Sequence, residues 1–180
     1  MTKDSEILKY PIGKYTPPRP ILKEHIEKWV EILEKFPIHL QEEVSRLTHE
    51  ELNWRYRPEG WTIHEVVHHC ADSHMNAFIR FKLTLTENEP TILPYKEAAW
   101  AKLGDVTHSD IQESLQIVTG LHNRWCSLLK SMGEQDFKKC YVHPEYGRTF
   151  SLDAVTGLYA WHGSHHLAHI RQAIHYKGNF

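Results

Sequence analysis

The chain has 180 residues, 41% of them hydrophobic and 24% charged, which is typical of one globular domain built around a single core. Its formal net charge of −2 argues against nucleic acid as a partner, and no run approaches the ~20 apolar residues of a membrane span. The N-terminus lacks the apolar core of a signal peptide, and Cys70, Cys126 and Cys140 fit neither a zinc ribbon nor a CxxC redox pair, so we expect a cytoplasmic protein.

The first twenty residues end in YPIGKYTPPRP, where four prolines and a glycine predict an extended arm and no helix. From residue 21 to residue 47 apolar side chains recur at spacings of three and four, which predicts the first long helix. Pro37 falls inside this pattern and should kink or split the helix, because proline has no N–H for the helical hydrogen bond. We therefore divide the chain into an arm, residues 1–20, and one domain, residues 21–180.

The middle of the chain carries two helix start signals. Thr48 and Glu51 have the spacing of a capping box, which predicts a short helical turn. A second long helix should run from Thr62 to about Thr86, and residues 96–103 could form another short helix. Both prolines of the loop ENEPTILPY lie between these two helices.

The last third of the chain predicts two more long helices. Ser109 and Gln112 have the spacing of a capping box that starts a third long helix, ending near Met132. The last helix should run from about Ser151 to Tyr176, and the only plausible extended pieces lie in KKCYVHPEYGRTFSL before it. Four long amphipathic segments with short connections predict an all-α fold, a four-helix bundle with short extra helices.

Histidine is unusually frequent, with 15 residues in the chain and five within YAWHGSHHLAHIRQAIH of the last helix. This helix contains two pairs spaced i,i+4, His162/His166 and His165/His169, and either pair could close on one metal ion. On a helical wheel the first pair shares a stripe with mostly apolar residues, namely Val155, Tyr159, Ile170 and Ala173. We therefore prefer His162 and His166 as metal ligands.

A third ligand should come from another helix of the same bundle. The second long helix supplies four histidines, His64, His68, His69 and His74. Its apolar stripe centres nearer His74 than His69, so spacing alone ranks His74 first among them.

The segment HEVVH, from His64 to His68, also matches the HExxH signature of zincin proteases. However, Thr62 and Glu65 have the spacing of a capping box, which assigns Glu65 to the helix start and leaves His64 in the first turn. A zincin needs the motif well inside a helix with its glutamate free to act as a base. The zincin protease therefore remains a minor alternative.

Several stretches resemble the YfiT branch of the DinB-like superfamily. They are WTIHEVVHHCADSHMNAFIRFKLTLTE in the second long helix, LYAWHGSHHLAHI in the last, YPIGKY in the arm and LHNRW in the third. The resemblance implies a four-helix bundle of unusual topology with one divalent metal, zinc or nickel, held by three histidines. Carried over to this chain, the metal ligands are His69, His162 and His166, and His169 stands where glutamine is usual. Periodicity and resemblance thus agree on the last helix and disagree on the second.

The resemblance also implies an activity. YfiT-like proteins are described as probable metal-dependent hydrolases, so we expect an enzyme that acts on a small-molecule substrate. Other superfamily members use the metal to activate a low-molecular-weight thiol such as bacillithiol, which makes a thiol S-transferase the alternative. Homodimers are common in the superfamily.

The chemistry of a three-histidine site leaves this choice open. Three imidazoles leave coordination positions for either water or a thiol, each of which loses its proton more readily on a metal. A non-catalytic metal-binding protein could use the same three residues. The sequence identifies no catalytic base.

Overall fold

The computed structural model describes residues 3–180, with side chains from residue 6 onward. The elements in chain order are α1 (Lys3–Lys9), α2 (Lys23–Val44), α3 (His49–Leu52), α4 (Ile63–Thr86), α5 (Glu97–Trp100), α6 (Gly104–His108), α7 (Ile111–Ser131), α8 (Glu134–Lys138), β1 (Cys140–His143), β2 (Arg148–Ser151) and α9 (Leu152–Tyr176). None of the described helices combines the length and apolar character that a membrane span requires.

The four long helices α2, α4, α7 and α9 form a bundle, which confirms the predicted fold class. The main contacts of α2 are with α7 and α9, and α4 likewise packs against α7 and α9. Thus α2 and α4, which are consecutive long helices, lie diagonally across the bundle. The core between the four helices is filled by fully buried aromatic side chains such as Phe36, Phe81 and Trp125.

The start of α4 follows the predicted capping box. The Thr62 hydroxyl accepts a hydrogen bond from the Glu65 amide at 3.1 Å, and the Glu65 carboxylate accepts one from the Thr62 amide at 2.8 Å. The start of α7 differs by one residue from its prediction. Asp110, not Ser109, caps this helix, and its carboxylate accepts from the Gln112 amide at 2.9 Å. Aspartate caps helices as well as serine does, so the pattern of residue types could not separate the two positions.

Pro37 does not split the first long helix, which is one of the two outcomes that the sequence predicts for it. The helix α2 is continuous from Lys23 to Val44 with Pro37 buried inside it. A proline leaves the carbonyl four residues earlier, here that of Leu33, without its helical N–H donor. His122 of α7 supplies a replacement, because its Nδ1 atom lies 2.7 Å from the Leu33 oxygen. A side chain from a neighbouring helix thus satisfies the acceptor that the proline frees.

The N-terminal segment also differs from its prediction, because Lys3–Lys9 form the helix α1. The prolines that argued against a helix begin only at Pro11, so they do not exclude helix in the residues before them. After α1 the chain runs along α9. The Gln172 amide donates to the Leu8 carbonyl at 2.9 Å, and the Tyr15 hydroxyl donates to the Ala154 carbonyl at 3.2 Å.

A short hairpin precedes the last helix, in the stretch where the sequence predicts extended pieces. β1 and β2 pair antiparallel, with Cys140 opposite Ser151 and His143 opposite Arg148. Because α9 begins at the residue after β2, the hairpin fixes where the histidine-rich helix starts.

Candidate metal centre

Three histidine side chains converge between α4 and α9. The Nε2 atom of His162 lies 3.2 Å from Nε2 of His69 and 3.2 Å from Nε2 of His166. One nitrogen of each ring lies within 4.8 Å of those of the other two. Two ligands bound to one metal at ~2.0–2.1 Å lie about 3.0–3.4 Å apart, so this spacing suits a shared ion. The structure therefore brings together the three residues that the resemblance indicates.

The helix positions explain how these rings meet. His162 and His166 lie one turn apart on α9, and their ring centroids are 4.4 Å apart. His69 projects from α4, and its ring lies against the Trp61 ring at a centroid distance of 4.6 Å. The cluster thus lies between two adjacent helices, with one ring from α4 and two from α9.

The three rings are neutral at pH 7. Burial lowers the pKa of His69 to about 4. Burial is also the main cause that holds the pKa values of His162 and His166 well below the usual range, and the charge of neighbouring histidines adds to it. Neutral imidazole is the form that binds a divalent cation, so the cluster does not have to release protons before it does so.

The opposite nitrogens of two of these rings contact further histidines. Nδ1 of His162 lies 3.0 Å from Nε2 of His74, and Nδ1 of His166 lies 3.5 Å from Nδ1 of His169. His74, which spacing alone ranked first in α4, thus lies behind His162 and outside the converging group. Metal-ligating histidines usually bond through their second nitrogen to a carboxylate, carbonyl or water, whereas here the second nitrogen meets imidazole.

The HExxH residues serve other contacts. Nε2 of His64 lies 3.1 Å from the backbone carbonyl oxygen of Ser109, and Nδ1 of His68 lies 2.8 Å from the Ser114 hydroxyl. Glu65 caps α4, as described above. Both histidines thus face the α7 side of α4, away from His162 and His166 of α9, and we discard the zincin interpretation.

Sequence reasoning did not identify one buried member of this region, His122 of α7. Its Nε2 atom lies 2.7 Å from Nδ1 of His74. The two rings are 1% and 0% exposed, so the contact excludes water. In the sequence His122 is a lone histidine in LHNRW, and only the packing of α7 against α4 brings it into contact with His74.

The comparisons with known proteins point to one family. The DinB superfamily matches residues 32–170 of the chain. YfiT of Bacillus subtilis strain 168, provisionally named a metal-dependent hydrolase, is 46% identical over 165 residues, which cover 92% of this chain and 93% of the relative. A relative from Bacillus cereus strain 03BB102, named in the same way, is 49% identical over 163 residues, covering 91% and 93% of the two chains.

A solved structure agrees with this relationship. The structure of YfiT from Bacillus subtilis, described as a probable metal-dependent hydrolase with an unusual four-helix bundle topology, superimposes with a TM-score of 0.92. The two chains are 45% identical, and the match covers 96% of this chain and 98% of the other. The chain therefore belongs to the DinB superfamily and, within it, to the YfiT-like proteins.

Proposed function

We propose that this protein is a metal-dependent hydrolase of a small-molecule substrate, and that His69, His162 and His166 bind one zinc or nickel ion through Nε2. The observation that carries the proposal is the convergence of these three nitrogens, because Nε2 of His162 lies 3.2 Å from Nε2 of each of the other two rings. The names of the relatives, which refer to metal-dependent hydrolysis, support the same conclusion.

The donor set favours a transition metal over magnesium or calcium. Imidazole suits zinc and nickel, whereas magnesium and calcium favour carboxylate and carbonyl oxygens. The converging group consists of three imidazoles. Three protein ligands leave coordination positions open, and a zinc ion in such a site lowers the pKa of bound water to about 7, which supplies a nucleophile at neutral pH.

The protein side chains keep the site ready for this ion. Because burial depresses the pKa of His69 to about 4, this ring stays neutral over the range in which a free histidine would protonate. Trp61 packs on His69, and contacts with His74 and His169 hold the other two rings. The residues therefore orient the donors before any ion arrives.

The first experiment is metal analysis combined with an activity screen. We expect about one zinc or nickel ion per chain, and hydrolysis of a member of an ester, amide and lactone panel by the metal-loaded protein. The variant His162→Ala should lose both the metal and the hydrolysis. The variant His64→Ala is the matched control, because His64 is a histidine of the neighbouring helix that bonds to Ser109 instead.

The second experiment separates hydrolysis from thiol transfer. The metal-loaded protein is given an electrophile with and without bacillithiol. Turnover that requires the thiol would contradict the hydrolase proposal and support the S-transferase that the resemblance also implies. Light scattering on the same preparation tests the homodimer implied by the resemblance.

A further inference from the structure

A line of three histidines connects the candidate metal centre to the backbone of α2. Nδ1 of His162 lies 3.0 Å from Nε2 of His74, and Nδ1 of His74 lies 2.7 Å from Nε2 of His122. Nδ1 of His122 lies 2.7 Å from the Leu33 oxygen. His74 and His122 are 0% and 1% exposed, so each ring must bond to its neighbour and not to water.

The carbonyl at the end of this line determines the position of every proton along it. A backbone oxygen only accepts hydrogen bonds, so Nδ1 of His122 must donate to Leu33. A neutral imidazole has one N–H, which makes Nε2 of His122 an acceptor and Nδ1 of His74 its donor. By the same step Nε2 of His74 accepts from Nδ1 of His162. Nε2 of His162 is then left without a proton and faces His69 and His166.

Pro37 explains why the Leu33 oxygen is available. In a regular helix this oxygen would accept from the amide of residue 37, which proline lacks. The same oxygen instead accepts the bond from His122 at 2.7 Å. Pro37 thus leaves the Leu33 oxygen free to accept, and the His122 ring that donates to it is the last member of the line.

A second, shorter line ends on the other histidine of α9. Nε2 of His169 lies 3.1 Å from the Lys9 oxygen, so it must donate, and its Nδ1 becomes an acceptor. Nδ1 of His166 lies 3.5 Å from that acceptor, at the long limit of a hydrogen bond. The His169 ring is held by stacking on Tyr56, with centroids 3.8 Å apart and planes inclined by 13°. Nε2 of His166 is thus also left without a proton.

We propose that His74, His122 and His169 are positioning residues, which use the Leu33 and Lys9 carbonyls to fix the tautomers of His162 and His166 with both Nε2 lone pairs turned to the metal. The proposal rests on the proposed function in treating the cluster as a metal centre. Two proton-free nitrogens 3.2 Å apart cannot bond to each other, so a bound cation relieves their repulsion. The two lines therefore place the protons of His162 and His166 on Nδ1 and leave both Nε2 atoms free to bind an ion.

The test is carried out first on the metal-free, full-length protein. Long-range ¹H–¹⁵N correlation spectra report which ring nitrogen carries the proton. We expect the Nδ1–H tautomer for His162, His166, His74 and His122, and the Nε2–H tautomer for His169. A dominant Nε2–H tautomer at His162 would overturn the proposal. Since no metal is added, this result is independent of the proposed function, which fails separately if the protein binds no metal.

The second part breaks the longer line away from the metal ligands. In His122→Phe the ring volume between Phe36 and Trp125 is kept, but the acceptor and the donor are lost. We expect a mixed tautomer at His162 and a roughly 10–100-fold loss of zinc affinity, measured by competition with a chelator. Glutamine can donate to Leu33 and accept from His74, so His122→Gln should restore both readouts.

The matched control is His68→Phe. His68 is another buried histidine, on α4, whose Nδ1 bonds to Ser114 and which takes no part in either line. Its substitution should leave the His162 tautomer and the zinc affinity unchanged. A folded His122→Phe variant with the parental tautomer and affinity would refute the positioning role. If His122→Phe does not fold, His122→Gln and the spectra of the unmodified chain still decide the question.

Discussion

The backbone oxygen of Leu33 lies 2.7 Å from Nδ1 of His122, a side chain of a different helix. Pro37, one turn further along α2, cannot donate to this oxygen. His122 of α7 therefore links three helices, because its ring also contacts His74 of α4 at 2.7 Å. The carbonyl that Pro37 leaves without its helical donor is thus the point from which the hydrogen bonds of the candidate metal centre start.

This relationship predicts a coupling between two substitutions. His122→Phe should lower the free energy of unfolding of the metal-free protein by about 1–3 kcal/mol, because the Leu33 oxygen is left buried and unpaired. In a Pro37→Ala background the new amide of residue 37 can donate to that oxygen, so the same change should be less destabilising. Urea unfolding of the four proteins measures the difference, and strict additivity, within about 0.5 kcal/mol, would contradict it.

The next prediction concerns the proposed metal ligands. His162→Ala should reduce bound zinc or nickel from about one ion per chain to near zero, while helical content by circular dichroism stays nearly unchanged. Alanine is the best helix former, so α9 should persist. His64→Ala should keep its metal. Loss of metal from the His64 variant, measured by elemental analysis, would revive the HExxH interpretation.

The stability of the metal-free protein should fall as the pH falls below about 6.5. Burial lowers the pKa values of His69 and His122 to about 4 in the folded chain, whereas the unfolded chain protonates these rings near the ordinary histidine pKa of 6.5. Between about pH 4 and pH 6.5 the unfolded state binds more protons than the folded state, so acid favours unfolding. Each such histidine contributes a slope of up to about 1.4 kcal/mol per pH unit.

Urea unfolding at pH 7.5, 6.5 and 5.5 measures this slope. His122→Phe removes one of the contributing groups and should flatten the profile. A free energy of unfolding that is constant from pH 7.5 to 5.5 would show that the buried rings protonate without unfolding the chain.

Local patterns in the sequence were sufficient to predict the four long helices and two of the three histidines that converge in the structure. Periodicity gave the helix positions, the Thr62–Glu65 spacing gave the start of α4, and the helical wheel selected His162 and His166. Each of these inferences uses interactions within a single helix, where spacing in the sequence determines spacing in the structure.

The remaining features depend on contacts between helices. Periodicity ranked His74 above His69, but both are buried on a helix that is covered on several sides, so the apolar stripe does not identify the ring that faces α9. Only the resemblance singled out His69. His122 acquires its role from the packing of α7 against α2 and α4, and His169 from the docking of Lys9 on α9. Neither contact leaves a pattern in the residues around it.

The approach of α9 to α2 yields a final prediction. A Cβ atom on Gly163 would lie 2.8 Å from the ring of Phe36, which is itself 1% exposed and contacts the rings of His74 and His122. Gly163→Ala must therefore displace Phe36 or separate the helices, and overpacking of this kind costs about 1–3 kcal/mol. This should outweigh the ~0.5–1 kcal/mol by which alanine is favoured over glycine inside a helix.

Gly120→Ala is the matched control for this prediction. Gly120 lies inside α7, and a Cβ atom there would have no described atom within 4 Å apart from its own helix and chain neighbours. This variant should gain about 0.5–1 kcal/mol from helix propensity alone. Gly163→Ala should also weaken zinc binding, because Phe36 packs on two rings of the histidine line, whereas Gly120→Ala should not. Equal stability and equal zinc affinity of the two variants would show that the close contact between α9 and Phe36 does not constrain the site.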